Sequence, residues 1–378
     1  MKIQIAKQLY VFAFLLGVFF ISSCSNSERS EGTTISYELM QVDSFRVDRE
    51  NRIRILDFNS NRSEYLAFDL VTHEFVQLDQ RGKVLNAVMK QGEGPDEYNT
   101  SILAASFNHE DDGYFLQSSN EFIWYSDDWK VKERLHIPAN STIHTYGGPK
   151  LSVPYFRIKD SSSPYFLTSF FSGIQVHAFE TKDDLSEEMM IEYYNPSKDS
   201  LEWALPFDKQ YFSSSELSEK KISPKQIYVL NREANLMYLT FENSKTIGVY
   251  DLSKDFELKQ TLPYEHQNFI PTNKSRNIAL FDLGSDKLAL LYYSGLSEGD
   301  IQLKKDADSD YLFYQDPALF RFIIIEKDGS GSHEIMFPSS GEPHSEFVQL
   351  PDNRILIRKK DNPNIEQEYS DYLVFDLK

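Results

Sequence analysis

Short runs of aliphatic and aromatic residues, separated by polar and charged residues, recur along most of the chain. The runs are rich in Phe, Tyr, Ile and Val, which favour strands because their side chains pack well on a pleated surface. After the N-terminal apolar stretch, no segment shows the sustained 3.6-residue periodicity of a long amphipathic helix. The pattern therefore predicts antiparallel all-β structure made of short hairpins.

The hairpins form a repeat of six units. In each unit two apolar runs are separated by polar turn residues and followed by a charged turn. Equivalent residues of successive units lie 48, 53, 71, 76 and 49 positions apart, and the shorter steps match one four-stranded propeller blade. The sequence thus predicts a six-bladed β-propeller whose longer steps contain insertions. The first runs begin at Glu64, Gly113, Pro164, Asn235, Lys287 and Asn353, and the second runs span 75–84, 122–131, 174–183, 247–256, 320–329 and 371–378.

Both ends of the propeller domain, residues 35–378, are expected to share one blade. Labelling the strands of a blade A to D, the last unit has strand B at 353–359 and strand C at 371–377, and the sequence then stops. The segment Ser36–Ser44 is suited to supply strand D, which would close the ring and remove an open sheet edge. The alternative is a pair of β-sandwich domains that meet near residue 215.

The N-terminus has the pattern of an export signal. Two lysines precede an apolar run from Leu9 to Ile21, which is too short to span a bilayer as a helix. The run ends in Ile21-Ser22-Ser23-Cys24, which resembles the lipobox of bacterial lipoproteins. We therefore predict a lipoprotein signal peptide at residues 1–23 and a covalent lipid on Cys24, with an ordinary secretory signal as the alternative.

Residues 24–34 are polar and predict a flexible tether after the lipidated cysteine. Multiple acyl chains hold a protein firmly to a membrane, so the expected location is the outer membrane, on either its periplasmic or its surface side. Acidic and serine residues after such a cysteine also loosely resemble the surface-export signals of Bacteroidetes lipoproteins.

The charge of the chain excludes some classes of partner. The formal net charge is −19, and it becomes −21 when the signal peptide is removed with Lys2 and Lys7. A surface this acidic repels nucleic acid, so we predict no nucleic-acid partner. The chain contains a single cysteine, so burial must stabilise the domain without an intramolecular disulfide.

The lipobox, the six hairpins and the segment QGEGPDEY at 91–98 resemble the uncharacterised six-bladed propeller lipoproteins of Bacteroidetes, relatives of the NHL and TolB-type propellers. Members of that family often carry a Gly-x-Gly-Pro-Gly-Glu-Tyr pattern after the first blade. This chain has Asp96 where the third glycine is usual. The resemblance implies an architecture and a location, but no common activity.

In a propeller the B-to-C connections and the connections between blades emerge on one face. We predict that any ligand meets this loop-rich face, because binding groups usually lie on loops of a rigid scaffold. The long insertions expected there are residues 91–100, 138–150, 193–222, 263–275 and Ser294–Pro317.

The loop predicted from Tyr193 to Phe212 is one candidate binding site. It contains four aromatic residues near Asp199, Glu202 and Asp208, and aromatic rings beside polar groups suit a sugar. The other interpretation is that the rings pack over the edge of the blade. The four aromatic residues are Tyr193, Tyr194, Trp203 and Tyr211.

Two further segments are weaker candidates. The alternating Asp306, Asp308 and Asp310 begin like a calcium loop, but Tyr311 and Pro317 stand where that loop needs glycine and glutamate. The amides of QGEGPDEY could cradle an anion, although its three acidic residues oppose one, and a structural turn is the other interpretation. The eight histidines lack a metal-binding spacing, and the chain has no GxSxG elbow, P-loop or dinucleotide fingerprint.

These observations favour a membrane-anchored, non-catalytic recognition or scaffolding propeller that binds a protein, peptide or glycan on the loop-rich face. The alternative is a carbohydrate-active or other hydrolytic enzyme whose acidic residues meet at the propeller channel. A structural part of an envelope complex is a third interpretation. No cofactor besides the covalent lipid is predicted, and calcium is a weak candidate.

Overall fold

Strands form where the apolar runs lie, and the middle strands whose burial the structure describes are largely buried on both faces. In β7, Tyr114–Ser118, every residue is buried, because this strand has a neighbouring strand on each side and another blade against each face. The computed structural model describes residues 37–109, 112–136, 143–144, 155–156, 165–167, 171–172, 185, 188–195, 197–206, 226–270, 274–284, 286–344, 347–362, 365 and 367–378.

Six four-stranded antiparallel sheets form the blades of a six-bladed β-propeller, as the sequence predicts. Blade 1 contains β2 (Ile53–Asn59), β3 (Glu64–Asp69), β4 (Glu74–Asp79) and β5 (Val84–Met89), in the order A to D. Blade 2 contains β6 (Ile102–Phe107), β7 (Tyr114–Ser118), β8 (Glu121–Tyr125) and β9 (Val131–His136). Blade 3 contains β11 (Tyr155–Phe156), β12 (Tyr165–Leu167), β14 (Met189–Asn195) and β15 (Ser200–Pro206), and a separate pair is formed by β10 (Ile143–His144) and β13 (Phe171–Ser172).

The second half of the chain repeats the pattern. Blade 4 contains β16 (Gln226–Asn231), β17 (Leu236–Phe241), β18 (Thr246–Asp251) and β19 (Glu257–Pro263). Blade 5 contains β20 (Arg276–Asp282), β21 (Lys287–Tyr293), β22 (Phe320–Glu326) and β23 (Ser332–Met336). Blade 6 contains β24 (Phe347–Leu350), β25 (Arg354–Arg358), β26 (Ser370–Leu377) and β1 (Leu39–Val47).

The N-terminal strand closes the ring by pairing with the C-terminal one. β1 runs antiparallel to β26, with Leu39 opposite Leu377 and Val47 opposite Ser370. Phe45 of this strand stacks on Tyr372 within its own blade and on Tyr65 of blade 1, with ring centroids 5.3 and 5.0 Å apart. The closure expected from Ser36–Ser44 is confirmed, with the strand lying three residues further along the chain. The alternative of two β-sandwich domains is wrong, because the six sheets form one propeller.

Six buried hydrophobic clusters hold the ring together, and each joins two consecutive blades. The cluster between blades 6 and 1 contains Val374 of β26 and Ile55 of β2, so the ring is also closed through its core. Burying one such aliphatic side chain contributes about 1.5–3 kcal/mol, and no disulfide is needed. Residues Tyr37–Lys378 form a single compact unit.

Polar residues at the ends of the strands fix the tight turns. The Asp79 carboxylate accepts the backbone N–H groups of Arg81 and Lys83, at 2.8 and 2.9 Å, in the C-to-D turn of blade 1. Asp251 accepts the N–H of Ser253 at 3.0 Å in the equivalent turn of blade 4. In these two units the aspartate that ends the second apolar run is therefore a turn cap.

Blade 3 departs from the prediction. We expected its strand C at 174–183, which lies outside the described residues, but the strand paired with β12 is β14, Met189–Asn195. The predicted loop at 193–222 is also wrong at its start, because β14 and β15 occupy residues 189–206. Both segments are apolar runs followed by a polar, acidic turn, so the repeat pattern alone does not distinguish them.

One α-helix, α1 (Glu298–Ala307), lies in the insertion between strands B and C of blade 5. The sequence pattern did not predict it, because none of its residues is buried and it has no apolar stripe. The Ser297 hydroxyl caps it by accepting the backbone N–H of Asp300 at 3.1 Å, and acidic residues begin it while lysines end it. Among the described residues no helix has the length and apolarity to cross a membrane.

Candidate functional site

The two faces of the propeller have different connections. Antiparallel order places the B-to-C and blade-to-blade connections on the loop-rich face, and the A-to-B and C-to-D connections on the opposite one, which we call the turn face. The loop-rich face carries long connections at 264–275 and 294–319, as predicted. The C-to-D turns at 80–83 and 126–130 are short. The longer of these connections therefore lie on the loop-rich face.

Exposed hydrophobic side chains follow the same division. Of the fourteen large hydrophobic residues exposed in the described part of the chain, ten lie on connections or strand ends of the loop-rich face. The other four lie on outer strands D, and none lies in a connection of the turn face. A surface of this kind is typical of protein interaction sites. The ten are Leu70, Val71, Met89, Met189, Ile270, Leu303, Leu312, Tyr314, Met336 and Ile365.

Three arginines from different blades meet on this face near the inner strands. We define the arginine cluster as Arg52, Arg276 and Arg358 together with Glu342 and His344. Arg52 immediately precedes strand A of blade 1, and Arg276 begins strand A of blade 5. Because strand A is the innermost strand, both lie at the mouth of the central channel.

Arg358 is the buried centre of the cluster. Its side chain is 5% exposed, and its guanidinium donates to Glu342 and, at 2.7 and 2.9 Å, to both carboxylate oxygens of Asp361. Arg52 donates to the same oxygen of Glu342 at 3.1 Å. Burial acts to lower the pKa of Arg358, but its hydrogen bonds to Asp361 and the nearby Glu342 raise it, so the arginine stays charged.

The backbone fixes the position of Glu342. The Glu342 N–H donates to the carbonyl of Arg358 at 2.8 Å, and Lys360 donates to the carbonyl of Ser340 at 2.9 Å. The connection from blade 5 therefore runs beside the end of β25 as a short additional strand. The packing at Gly341 is tight, because a Cβ would lie 3.0 Å from both Ile357 and Phe337. The two carboxylates leave Arg358 neutralised where it is buried.

Arg276 and His344 complete the cluster. Arg276 lies with its guanidinium carbon 5.6 Å from the ring centroid of Tyr293, and within the described residues no carboxylate pairs with it. The His344 ring packs edge-on against Tyr314 at 4.9 Å. Desolvation and the charges of Arg276 and Arg52 lower the pKa of His344 against the opposing effect of Glu342. The histidine is therefore neutral at pH 7 in a positive local potential.

This arrangement suits an anionic group. Glu342 and Asp361 offset two of the three guanidinium charges, and one positive charge remains on the half-buried Arg276. Arginine side chains bind carboxylates and phosphates through paired hydrogen bonds. On a chain with a net charge of −19, a positive channel mouth is a local exception to the surface charge.

Of the four aromatic residues predicted to stack on a sugar, the three that the structure describes are not assembled into one surface. Tyr193 and Tyr194 are neighbours on β14, so their rings point to opposite faces of the blade, and both are buried. Tyr193 donates to Glu202 at 2.8 Å and Tyr194 to Asp199 at 2.6 Å. Trp203 lies on β15 with 43% of its surface exposed, and Tyr211 lies outside the described residues.

The three aspartates predicted as a weak calcium site fall at the end of α1. Asp306 is in the helix and accepts from Gln302 at 2.7 Å, Asp308 follows the last helical residue, and Asp310 donates its N–H back to Asp308 at 3.1 Å. Within the described part of the chain no three His, Cys, Asp or Glu side chains are arranged to hold a metal ion.

The QGEGPDEY segment forms a structural turn. Gly94 donates its N–H to the Glu97 carboxylate at 2.7 Å, so the cradle we considered for an anion is filled from within the segment. A Cβ at Gly92 would lie 2.0 Å from the same carboxylate, so a larger residue there would displace the Glu97 side chain. Asp96, the departure from the family pattern, accepts the N–H of Val131 at 2.8 Å and attaches the turn to blade 2.

The arginine cluster was not recognised from the sequence. Its residues are up to 306 positions apart, between Arg52 and Arg358, and no local motif connects them. The sequence did contain one signal. Arg52 and Arg276 stand just before an apolar run, and Arg358 directly follows one. Aligning the six units by strand would have placed all three on the loop-rich face.

The sequence matches no protein-family model and no curated protein. Among solved structures, the chain is similar to a member of the DUF4221 family from Bacteroides vulgatus, with a TM-score of 0.63 and 11% identity over 90% of this chain and 98% of that one. It is also similar to a protein from Bacteroides fragilis described as exported, with a TM-score of 0.48 and 10% identity over 91% of this chain and 95% of that one. The likeness to the first structure shows a shared fold.

Proposed function

We propose that the protein is a lipid-anchored recognition propeller of the bacterial cell envelope that binds a protein partner on its loop-rich face. The observation that carries this proposal is the one-sided distribution of exposed hydrophobic side chains, ten on the loop-rich face and none in the connections of the turn face. Interface cores are enriched in Met, Tyr and Arg, and this face offers all three beside aliphatic side chains.

The lipid anchor is the second element of the proposal and rests on the sequence. Cys24 is the only cysteine, and it stands at the position that the lipobox requires. Acylation there, followed by the polar residues 25–34, would hold the propeller at the outer membrane through a tether. In cells grown with labelled palmitate, Cys24→Ser should abolish incorporation of the label and move the protein out of the detergent phase on phase partition.

Site-directed photo-crosslinking tests the recognition face. Residues 25–378 contain no cysteine, so a single introduced thiol can carry a photo-crosslinker. Leu303→Cys places it on α1, on the loop-rich face, where the leucine is 68% exposed. Ser330→Cys is the matched control, because it places the label on the same blade in a C-to-D turn of the turn face.

With an envelope extract of the source cells, we expect a discrete adduct from the Leu303→Cys domain and none from the Ser330→Cys domain. An excess of unlabelled domain should suppress the adduct, because a specific site is saturable. Equal adducts from both variants, or none from Leu303→Cys, would contradict a recognition role for the loop-rich face.

A further inference from the structure

We propose that the arginine cluster binds a carboxylate of an acidic peptide segment, which enters the mouth of the channel while the surrounding apolar side chains hold the rest of the partner. This inference rests on the proposed function and specifies the chemistry of the partner. Arg276 and Arg52 would contact the carboxylate, whereas the buried Arg358 acts as a positioning residue.

The charges of the cluster leave one site open. The charge of Arg358 is offset by Asp361 and Glu342, and Arg52 shares Glu342 with it. Arg276 has an aromatic ring on one side and no carboxylate partner in the described part of the chain. An incoming carboxylate would supply the missing partner, and a charge-assisted hydrogen bond is about twice as strong as a neutral one.

The cluster already contains an example of the ligand chemistry. The Glu342 carboxylate accepts from guanidinium groups of two different blades, Arg52 of blade 1 and Arg358 of blade 6. A second carboxylate on the open side of Arg276 would repeat this bridging from blade 5. His344, whose pKa is lowered by desolvation and by the same arginines, can donate a hydrogen bond from its neutral ring.

The net charge makes the site selective. A chain of net charge −19 repels acidic segments from most of its surface, so attraction is restricted to the channel mouth. The expected partner is a chain whose acidic segment is short and flanked by apolar residues, because exposed hydrophobic side chains lie on the same face as the cluster and Tyr314 packs against His344.

Fluorescence anisotropy with short labelled peptides tests the inference on the domain of residues 25–378. The probe is a peptide of glutamates flanked by leucines, compared with the same peptide carrying glutamine in place of glutamate. We expect the glutamate peptide to bind at least about tenfold more tightly, and Arg276→Gln to remove that difference. Arg354→Gln is the matched control, since it removes one arginine from an A-to-B turn of the turn face and should leave binding unchanged.

Both peptides carry an amidated C-terminus, so any difference between them reports on the side-chain carboxylates alone. Equal binding of the two peptides, or an equal loss in Arg276→Gln and Arg354→Gln, would overturn the inference. If neither peptide binds while Leu303→Cys still gives its saturable adduct, the proposal of an acidic partner is wrong. The loop-rich face then still stands as the recognition surface. If both fail, the proposed function is wrong as well.

Discussion

The two faces of this propeller are built from the same blades but differ in how their polar groups are used. On the turn face, carboxylates such as Asp79 and Asp251 accept backbone N–H groups of their own turns. On the loop-rich face, arginines from three blades converge, and Arg276 has no acidic partner in the described part of the chain. Polar groups on the turn face thus complete the fold, while the loop-rich face retains unsatisfied charge and exposed apolar surface.

This difference predicts which substitutions change the stability of the domain and which change recognition. A turn-face residue that reaches into the core should change the stability of the domain without changing recognition. Substitutions of Arg276 or Arg52 should change recognition with little effect on stability, because these two side chains of the arginine cluster are partly exposed.

The largest expected effect on stability comes from substituting Trp129, which lies in a C-to-D turn of the turn face. Its ring is 3% exposed and stacks between Tyr114 and Phe75, with centroids 3.9 and 4.8 Å away. Trp129→Ala should lower the free energy of unfolding by about 3–5 kcal/mol, measured by urea denaturation. The control Trp203→Ala removes a ring that is 43% exposed and should cost less than about 1 kcal/mol. Similar losses of unfolding free energy in both variants would contradict the distinction between a buried ring on the turn face and an exposed ring.

A smaller effect on stability is expected from substituting Asp69, which begins the B-to-C turn of blade 1 on the loop-rich face. Burial acts to raise its pKa, but hydrogen bonds from the backbone of Thr72 and Val71, together with Arg49, lower the pKa below its ordinary 3.8. The folded state therefore binds this proton less readily than the unfolded state, so the carboxylate stabilises the fold above about pH 4. That contribution is lost as the pH falls through the folded pKa.

Asp69→Asn should lower the free energy of unfolding by about 1.5 kcal/mol at pH 7 and less at acid pH, so the two stability curves should converge as the pH falls. Urea denaturation across that range measures this. Asp352→Asn, at a turn-face side chain that is 82% exposed, should follow the wild-type curve. A constant difference between Asp69→Asn and wild type would show that charge is not the cause.

The smallest effect concerns the ionisation of His344. Arg276 lowers the pKa of His344 and Glu342 raises it, so Arg276→Gln should raise that pKa and Glu342→Gln should lower it further. Imidazole chemical shifts in an NMR titration report both changes. Arg354→Gln on the turn face should leave the titration unchanged. Shifts of the same sign in the two cluster variants would contradict the electrostatic description of the channel mouth.

Much of the fold could be predicted from the sequence because its repeat is local. Apolar runs, polar turn caps and the missing final strand were enough to predict six blades and the closure by β1. Strand C of blade 3 was placed wrongly, because the runs at 174–183 and 189–195 carry similar patterns. α1 was missed because an exposed helix without an apolar stripe leaves no periodic signal.

The candidate site was less predictable because it depends on contacts between blades. Arg52 and Arg276 become neighbours of His344 only when the ring closes. Tyr193 and Tyr194 were selected for their aromatic character, yet the strand alternation buries them on opposite faces. Composition identifies residues able to bind a ligand, whereas their exposure and convergence follow from the fold.

The accessibility of the two faces in living cells tests the central claim most directly. Leu303→Cys and Ser330→Cys would be introduced into the full chain, and their reaction rates with a small maleimide compared between cells and purified protein. We expect Leu303→Cys to react several-fold more slowly in cells, because a partner covers the loop-rich face, and Ser330→Cys to react equally in both. Equal rates for Leu303→Cys, or slowing confined to Ser330→Cys, would contradict the claim that the loop-rich face is the recognition surface.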